Sequence, residues 1–282
     1  MKGTWSFVGL MCILLLALAP LLAACGDDDN GAKGSNDDQT NTTLSGTIDV
    51  AGSTSVQPLA EMMAVAFMDR HQSVRVNISG GGSSAGVRAC AQGAVDLGAA
   101  SRDIKITEQD LIPIAIARDA VAIAVHSSNP VSDLSLDQVK KIYEGKITNW
   151  KEVGGDDKSI VVISREEGSG TRDCFESRVT KEIKNDSLFF DSNGAIRSKV
   201  AAQSDAIGFL SLGYVEGLKA LSLNGLEPTL ETCMSGEYPV LRRLNLLSRE
   251  IPGGVEKAFV DFCRSDEGQQ IAEKEGYIPL MK

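Results

Sequence analysis

Three short turns rich in glycine and serine are the part of this sequence best suited to chemistry. They read Gly52-Ser53-Thr54-Ser55, Gly80-Gly81-Gly82-Ser83-Ser84 and Gly168-Ser169-Gly170-Thr171, and each leads from a strand-like segment into a helical one. Each presents backbone N–H groups and hydroxyls at the start of a helix, where the helix dipole stabilises an anion. Because three such turns occur in a chain with few catalytic side-chain types, the sequence predicts a site that surrounds a small oxyanion with donors.

Charged residues accompany the third turn, which belongs to the segment Arg165-Glu166-Glu167-Gly168-Ser169-Gly170-Thr171-Arg172. The planar guanidinium of Arg165 suits a tetrahedral oxyanion, and the glycines let the backbone approach closely. We expect Glu167 either to hold Arg165 in place or to accept the proton of a protonated oxyanion. A capped helix with surface charges is the plainer alternative.

Two further donors, Ser101 and Arg102, follow another predicted strand. The alternative is a serine-capped turn in which Arg102 pairs with Asp103 or another carboxylate. The second turn also satisfies the loose G-x-G-x-x-G/A pattern, with Asp103 at the distance typical of a dinucleotide fold. We give that interpretation little weight because the N-terminus directs the chain out of the cytoplasm, away from NAD.

The sequence offers little for catalysis. His71 and His126 lie in no nucleophile–base pattern, and the H-E-x-x-H, G-x-S-x-G and Walker A patterns are absent. The cysteines have no C-x-x-C spacing. We therefore expect neither enzymatic activity nor a cofactor or metal. The formal net charge of −10 argues against a general nucleic-acid or anionic-membrane binder.

The N-terminus has the features of a bacterial lipoprotein signal over residues 1–24. An apolar core leads into Leu22-Ala23-Ala24-Cys25, with small residues before a cysteine that would carry lipid. An ordinary secretory signal with a chance cysteine is the alternative. Residues 25–45 contain the lipidated cysteine and an acidic, polar stretch that predicts a disordered tether. We expect an extracytoplasmic protein, anchored to the bacterial cell membrane by its lipid.

Strands alternate with helices along the remaining chain, which predicts an α/β fold with mostly parallel strands. In such sheets ligands lie at the carboxyl ends of strands, where all three turns fall. The apolar stretch 112–126 exceeds an ordinary buried strand, so we expect it to turn near Arg118-Asp119. The other predicted strands are 46–51, 74–79, 95–100, 160–164, 207–210, 218–223 and 241–247. The predicted helices are 55–70, 83–92, 136–145, 169 onward, 193–203, 255–263 and 268–274, with a short one from 107.

The order of motifs resembles a known family. VAGSTSVQPL, ISGGGSSAGV, VDLGAASRD, KIYEGKITNWKEVGG and SREEGSGTRDCFE follow one another as in the phosphate-binding lipoprotein of high-affinity phosphate ABC transporters. The resemblance covers about residues 46–282. It implies a type II periplasmic-binding-protein fold, in which two α/β lobes joined by two crossing strands close on phosphate. Lobe 1 would comprise 46–122 plus 240–282, and lobe 2 would comprise 123–239.

The resemblance also implies a set of binding residues. Together with the candidates above, the predicted phosphate-binding residues are Ser53, Thr54, Ser55, Ser83, Ser101, Arg102, Arg165, Gly168, Ser169, Gly170 and Thr171. One position departs from the pattern, because longer members carry a proton-accepting aspartate where this chain has Ser101. The expected partners are inorganic phosphate and ABC permease subunits, and we expect a monomer. The alternatives are another oxyanion, such as sulfate, molybdate or tungstate, or a secreted phosphohydrolase.

Four cysteines remain once the signal and the lipidated Cys25 are set aside. An even number in an oxidising compartment favours disulfides, with four buried thiols as the alternative. The lobe assignment taken from the resemblance predicts the pairs Cys90–Cys263 and Cys174–Cys233, one within each lobe.

Overall fold

A computed structural model describes residues 44–280 of the 282-residue chain. These residues belong to one compact unit and form eleven strands and eight α-helices. The strands are β1 Gly46–Gly52, β2 Val74–Ser79, β3 Leu97–Ala100, β4 Ile112–His126, β5 Asp133–Leu134, β6 Val161–Arg165, β7 Leu188–Phe190, β8 Ala206–Ser211, β9 Leu218–Ala220, β10 Ser222–Leu223 and β11 Leu241–Ser248. The helices are α1 Gln57–Arg70, α2 Ser83–Ala91, α3 Leu136–Tyr143, α4 Gly170–Arg178, α5 Asn193–Ala202, α6 Leu230–Ser235, α7 Gly254–Arg264 and α8 Asp266–Lys274.

Nine strands form one sheet in the order β2-β1-β3-β11-β4-β8-β6-β7, with β9 paired to β4. At both ends of this order the pairing is parallel, as in β1 with β2 and β3 and in β6 with β7 and β8. In the middle, β11 and β4 run antiparallel to each other and to their outer neighbours. The expected α/β fold is confirmed, but parallel pairing is confined to the two ends of the sheet.

Two large groups of buried apolar side chains lie on either side of the central strands. The first cluster joins strands and helices before residue 118 with those after residue 243, including Ile48, Phe67 and Phe259. The second cluster draws on residues 120–240 and Ile278, and includes Trp150 and Phe209. Since β4 and β11 supply side chains to the first cluster and pack on the second, these two strands cross from one to the other.

The predicted turn at Arg118-Asp119 is wrong, because β4 is a continuous strand of 15 residues. Its first half contributes Ile116 and Ala117 to the first cluster, and its second half contributes Val121 to the second. A strand shared by two clusters can be longer than a strand that serves one. Across the ladder, Arg118 faces Arg243 and Asp119 faces Arg242 of β11.

The predicted signal and nearly all of the predicted tether lie outside the described residues. The described chain begins at Leu44, which is half-buried against the first cluster, two residues before the expected boundary at residue 46. Within residues 44–280, none of the helices combines the length and apolar character needed to span a bilayer.

The predicted disulfides are not formed, because Cys90, Cys174, Cys233 and Cys263 are all free and buried. Cys90 and Cys263 belong to different apolar groups, Cys90 packing with Val87 and Leu247, and Cys263 lying in the first cluster. The thiols of Cys90 and Cys174 donate instead to backbone carbonyls. Burial raises the pKa of all four thiols, to about 11 for Cys174 and Cys233.

These four thiols are expected to be unreactive in the folded protein, since the thiolate is the nucleophile and burial suppresses it. Iodoacetamide at pH 8 should leave them unmodified in the native state. It should modify all four after denaturation without reductant, as mass spectrometry of peptides would show. A peptide pair that separates only after reduction would contradict the free-thiol assignment.

Candidate functional site

Hydroxyl groups from all three glycine-rich turns meet in the interior. The side chain of Ser53 donates to Ser101 at 2.9 Å, and the oxygens of Ser83 and Ser101 lie 3.3 Å apart. The oxygens of Ser55 and Thr171 lie 3.1 Å apart, joining the first turn to the third. We call these five residues the hydroxyl cluster, and each is at most 2% exposed.

Glycines permit this close approach. A Cβ on Gly52, where φ is +143°, would lie 2.2 Å from the carbonyl oxygen of Ala99. A Cβ on Gly170 would lie 2.4 Å from Ser83 Oγ and 2.6 Å from Ser101 Oγ. Side chains at either position would push the turns apart, so both glycines are needed to bring the hydroxyls together.

The helices that follow the turns begin beside this cluster. Ser169 caps α4, its hydroxyl accepting from the N–H of Arg172. Gly82 occupies the N-cap position of α2, and Ser83 is the first helical residue, as the predicted helix 83–92 implies. The Ser83 hydroxyl is therefore free to reach Ser101. Neither α1 nor α2 has a side-chain cap, and the N–H of Ser84 in the first turn of α2 donates to the Gly168 carbonyl, so the start of α2 is joined to the third turn.

Arg165 extends from the end of β6 into the site and is 1% exposed. Its Nη1 donates to Thr171 and its Nη2 to Thr54, both at 3.4 Å. Its Nε and Nη2 donate to the two carboxylate oxygens of Glu166, at 2.9 and 3.0 Å. Burial lowers the pKa of Arg165, and the Glu166 carboxylate opposes that shift.

The residue that holds Arg165 is therefore Glu166, and the expectation that Glu167 orients Arg165 is wrong. Glu167 is exposed and lines a surface pocket of about 560 Å³. The reason is geometric, because Glu166 directly follows β6 and its carboxylate folds back along the arginine.

Gly168 has a φ of +86° and its carbonyl accepts from the N–H of Ser84, which joins the second and third turns.

Arg242 is a second buried guanidinium at the site, and the sequence reasoning missed it. Its Nη1 donates to Thr171 at 2.8 Å and to Ser101 at 3.3 Å, and its Nη2 donates to Ser55 at 2.9 Å. Its Nε and Nη2 also donate to Asp119 Oδ2, at 2.9 and 2.6 Å. Arg242 thus donates to three of the five hydroxyls of the cluster, and the carboxylate of Asp119 that pairs with it is 1% exposed.

Two neutral residues complete the wall. Asn193, the first residue of α5, donates through Nδ2 to Ser55 at 2.8 Å and to Thr54 at 3.3 Å. The hydroxyl of Tyr214 donates to the backbone carbonyl of Thr54 at 2.9 Å. Sequence reasoning missed both, since an asparagine at a helix start and a lone tyrosine carry no distinctive pattern.

Arg102 is buried, but its guanidinium is used elsewhere. Nη1 and Nη2 donate to Glu108 at 2.7 and 2.8 Å, and Nε lies 2.8 Å from Asp173 Oδ2. The hydrogen bond from Arg102 holds the pKa of Glu108 below its ordinary value. Arg102 was expected to bind the ligand, but the structure does not bring its guanidinium to the hydroxyl cluster. The alternative, pairing with a carboxylate, is the arrangement found.

The site is suited to binding an oxyanion. It gathers hydroxyls, two guanidiniums and helix N-termini, and each guanidinium is balanced by one carboxylate. Neither histidine belongs to it, since His126 contacts Ser128 and His71 packs against Phe67. Among residues 44–280, no group of three or more His, Cys, Asp or Glu side chains could hold a metal ion.

Several known proteins are similar to this chain in sequence and in fold. The family model described as PBP superfamily domain matches residues 37–267. The phosphate-binding protein PstS of Bacillus subtilis is 30% identical over 96% of this chain and 93% of its own length. PstS of Borreliella burgdorferi is 28% identical over 83% of this chain and 90% of its own.

Two solved structures are also similar. A substrate-binding protein assigned to a phosphate ABC transporter of Clostridium perfringens, solved with bound phosphate, is 40% identical. It superposes with a TM-score of 0.81 over 84% of this chain and 100% of its own. A phosphate transport receptor from Vibrio cholerae is 32% identical, with a TM-score of 0.70 over 83% of this chain and 100% of its own. The chain therefore belongs to the PBP superfamily and, within it, to the PstS family, which confirms the predicted fold class.

The Asp119–Arg242 pair should be critical for folding. Arg242→Met would leave the Asp119 carboxylate buried without its cation, and we expect a loss of about 3–5 kcal/mol in the free energy of unfolding. Urea denaturation in phosphate-free buffer measures it. The exposed neighbour Arg243→Met is the matched control and should change stability little. An Arg242→Met protein as stable as the control would contradict the assigned pairing.

Proposed function

We propose that this protein captures inorganic phosphate outside the cytoplasm and delivers it to an ABC permease. The observation that carries the proposal is the convergence of a buried hydroxyl cluster and two guanidiniums on the ends of three helices. The proposed phosphate-binding residues are those predicted from the sequence other than Arg102, together with Arg242 and Asn193. Binding, without chemical conversion, is the proposed role.

The donor set favours a tetrahedral oxyanion. A serine or threonine hydroxyl rotates about its C–O bond, so a hydroxyl that bonds a neighbour can instead donate to an anion oxygen. Arg165 and Arg242 each direct N–H groups at Thr171, and guanidinium forks match phosphate oxygens well. The B. subtilis relative is a phosphate-binding protein, and the C. perfringens structure contains bound phosphate; both support phosphate over sulfate, molybdate or tungstate.

Closure of two lobes is the proposed capture mechanism. We propose lobe 1 as 46–122 plus 240–282 and lobe 2 as 123–239, because each apolar cluster falls almost wholly within one of them. The chain crosses between the clusters in β4 and β11, which would act as the hinge. Contacts between Ser55 and Thr171 and between Thr54 and Arg165 join the proposed lobes across the site. Phosphate held by both sides would favour the closed arrangement.

Loss of Arg165 should weaken phosphate binding. Arg165→Gln removes charge-assisted donors worth about 1.5–3 kcal/mol, so the dissociation constant should rise about 10–100-fold. Isothermal titration of protein freed of bound phosphate measures this. The exposed Arg75→Gln is the control and should bind like wild type.

The same titrations test the proposed function against its rivals. Wild-type protein that binds sulfate, molybdate or tungstate as tightly as phosphate would contradict the phosphate assignment. Turnover of p-nitrophenyl phosphate at a useful rate would favour the secreted phosphohydrolase instead. Unchanged phosphate affinity in the Arg165→Gln protein would show that Arg165 does not bind phosphate.

We also propose that Cys25 carries the lipid that anchors the protein to the cell membrane, at its outer face. Its position after Leu22-Ala23-Ala24 supports this assignment. Cys25→Ser should abolish incorporation of radiolabelled palmitate and move the protein from the detergent phase to the aqueous phase in Triton X-114 partitioning. Cys90→Ser is the matched control and should retain the label. Palmitate incorporation by the Cys25→Ser protein would contradict the anchor.

A further inference from the structure

Asp173 pairs with two cations that belong to the other proposed lobe. Its Oδ2 lies 2.8 Å from Arg102 Nε and 3.0 Å from Lys105 Nζ. Asp173 belongs to α4 in the proposed lobe 2, whereas both cations follow β3 in the proposed lobe 1. The side chain of Arg102 is 4% exposed and that of Asp173 is 25% exposed. These charges therefore meet between the two sides of the site, partly shielded from water.

Arg102 is held in place independently of Asp173. Its Nη1 and Nη2 donate to the two carboxylate oxygens of Glu108 at 2.7 and 2.8 Å, and Nη1 also donates to the backbone carbonyl of Asp103 at 3.0 Å. The contact with Asp173 lacks hydrogen-bond geometry, since neither Arg102 Nε nor Asp173 Oδ2 has a hydrogen-bond partner among residues 44–280. The pair within lobe 1 is thus well aligned, and the pair between the lobes is the one that can part.

Asp173 lies in the helical turn that carries proposed phosphate-binding residues. Its N–H donates to the carbonyl of Ser169, the N-cap of α4, and Gly170 and Thr171 lie between them. Asp173 also lines the surface pocket of about 560 Å³. A force on the Asp173 carboxylate at this surface therefore acts on the turn that would hold phosphate.

Other contacts across the site use groups that would bind the ligand. The hydroxyl of Thr54 accepts from Arg165, for example, and both groups would turn toward bound phosphate. The contacts of Asp173 require no such exchange, because its two cations are not among the proposed phosphate-binding residues. They therefore persist when phosphate is bound.

Other carboxylates of the same surface pocket pair within their own lobe. Both oxygens of Glu166 accept from Arg165, and Glu176 accepts from Arg172 at 2.6 Å within α4. Neither pair has to change when the lobes separate, so neither favours closure.

We propose that Asp173 is a positioning residue that latches the proposed lobes around phosphate and sets how long phosphate stays bound. This inference rests on the proposed function. An ion pair that exists only when the lobes are closed stabilises that arrangement, which bound phosphate also favours. Because the pair must break before phosphate leaves, it slows dissociation more than it affects association.

Release of radiolabelled phosphate into an excess of unlabelled phosphate, from wild type and from Asp173→Asn, tests this latch. We expect the dissociation rate constant of Asp173→Asn to rise about tenfold, between the effects typical of exposed and of buried ion pairs. The association rate constant should change by less than about threefold. Glu176→Gln, one turn further along α4, is the matched control and should release phosphate like wild type.

The effect of salt separates a latch from a merely structural role. Salt screens a partly exposed ion pair, so raising KCl from about 50 mM to about 500 mM should speed release from wild type. Release from Asp173→Asn should respond less. Lys105→Met should speed release by a smaller factor in wild type, and should add nothing in the Asp173→Asn background.

Each outcome bears on a different statement. Unchanged release by a folded Asp173→Asn protein overturns the inference while leaving phosphate binding intact, and so does equally rapid release by Glu176→Gln. If Asp173→Asn does not fold by circular dichroism, release from wild type that is insensitive to salt overturns the inference. Absence of phosphate binding by wild type overturns the proposed function itself.

Discussion

The ion pair between Asp119 and Arg242 is the interaction on which the rest of the site depends. The two residues face each other across β4 and β11, where the strands cross between the two apolar clusters. Removing both charges from water costs free energy. Their mutual attraction offsets this cost only when the remaining N–H donors of the arginine also have acceptors. The hydroxyls of Ser55, Ser101 and Thr171 provide those acceptors. The strands that connect the two apolar clusters therefore also carry the ion pair at the polar centre of the site.

Backbone geometry brings the hydroxyls to the arginine. The turn after β1 can lie against β3 because Gly52 has no side chain, and α4 can begin against Ser83 and Ser101 because its first residue is Gly170. The result is a small volume in which hydroxyls and two guanidiniums converge and each guanidinium has its own carboxylate. Such a site attracts an anion through oriented donors and dipoles, without an excess of positive side chains.

The parts of the site that lie within one turn could be predicted from the sequence, because glycine, serine and an adjoining arginine signal them locally. Asp119 and Arg242 could not be predicted in this way, since they meet through the pairing of strands distant in sequence. Each is a charged residue inside an apolar strand. At Asp119 that pattern led to the prediction of a turn. The choice between Glu166 and Glu167 depended on side-chain direction at the end of β6, which spacing does not determine. Assigning residues to a lobe did not predict the cysteines, because Cys90 and Cys263 belong to different apolar groups of one lobe, and Cys174 and Cys233 share a cluster without being bonded.

The crossing of β4 and β11 also sets the order in which the molecule can form. The second cluster is drawn from residues 120–240, with Ile278 its one late member. The first cluster needs Ile48 near its start and Phe259, Phe262 and Tyr277 near the end of the chain. Contacts between residues so distant in sequence form slowly, because a long loop must close before they stabilise anything. The first cluster can therefore be completed only after the C-terminal segment is made, and until β11 pairs with it, β3 has an open edge that could pair with other chains.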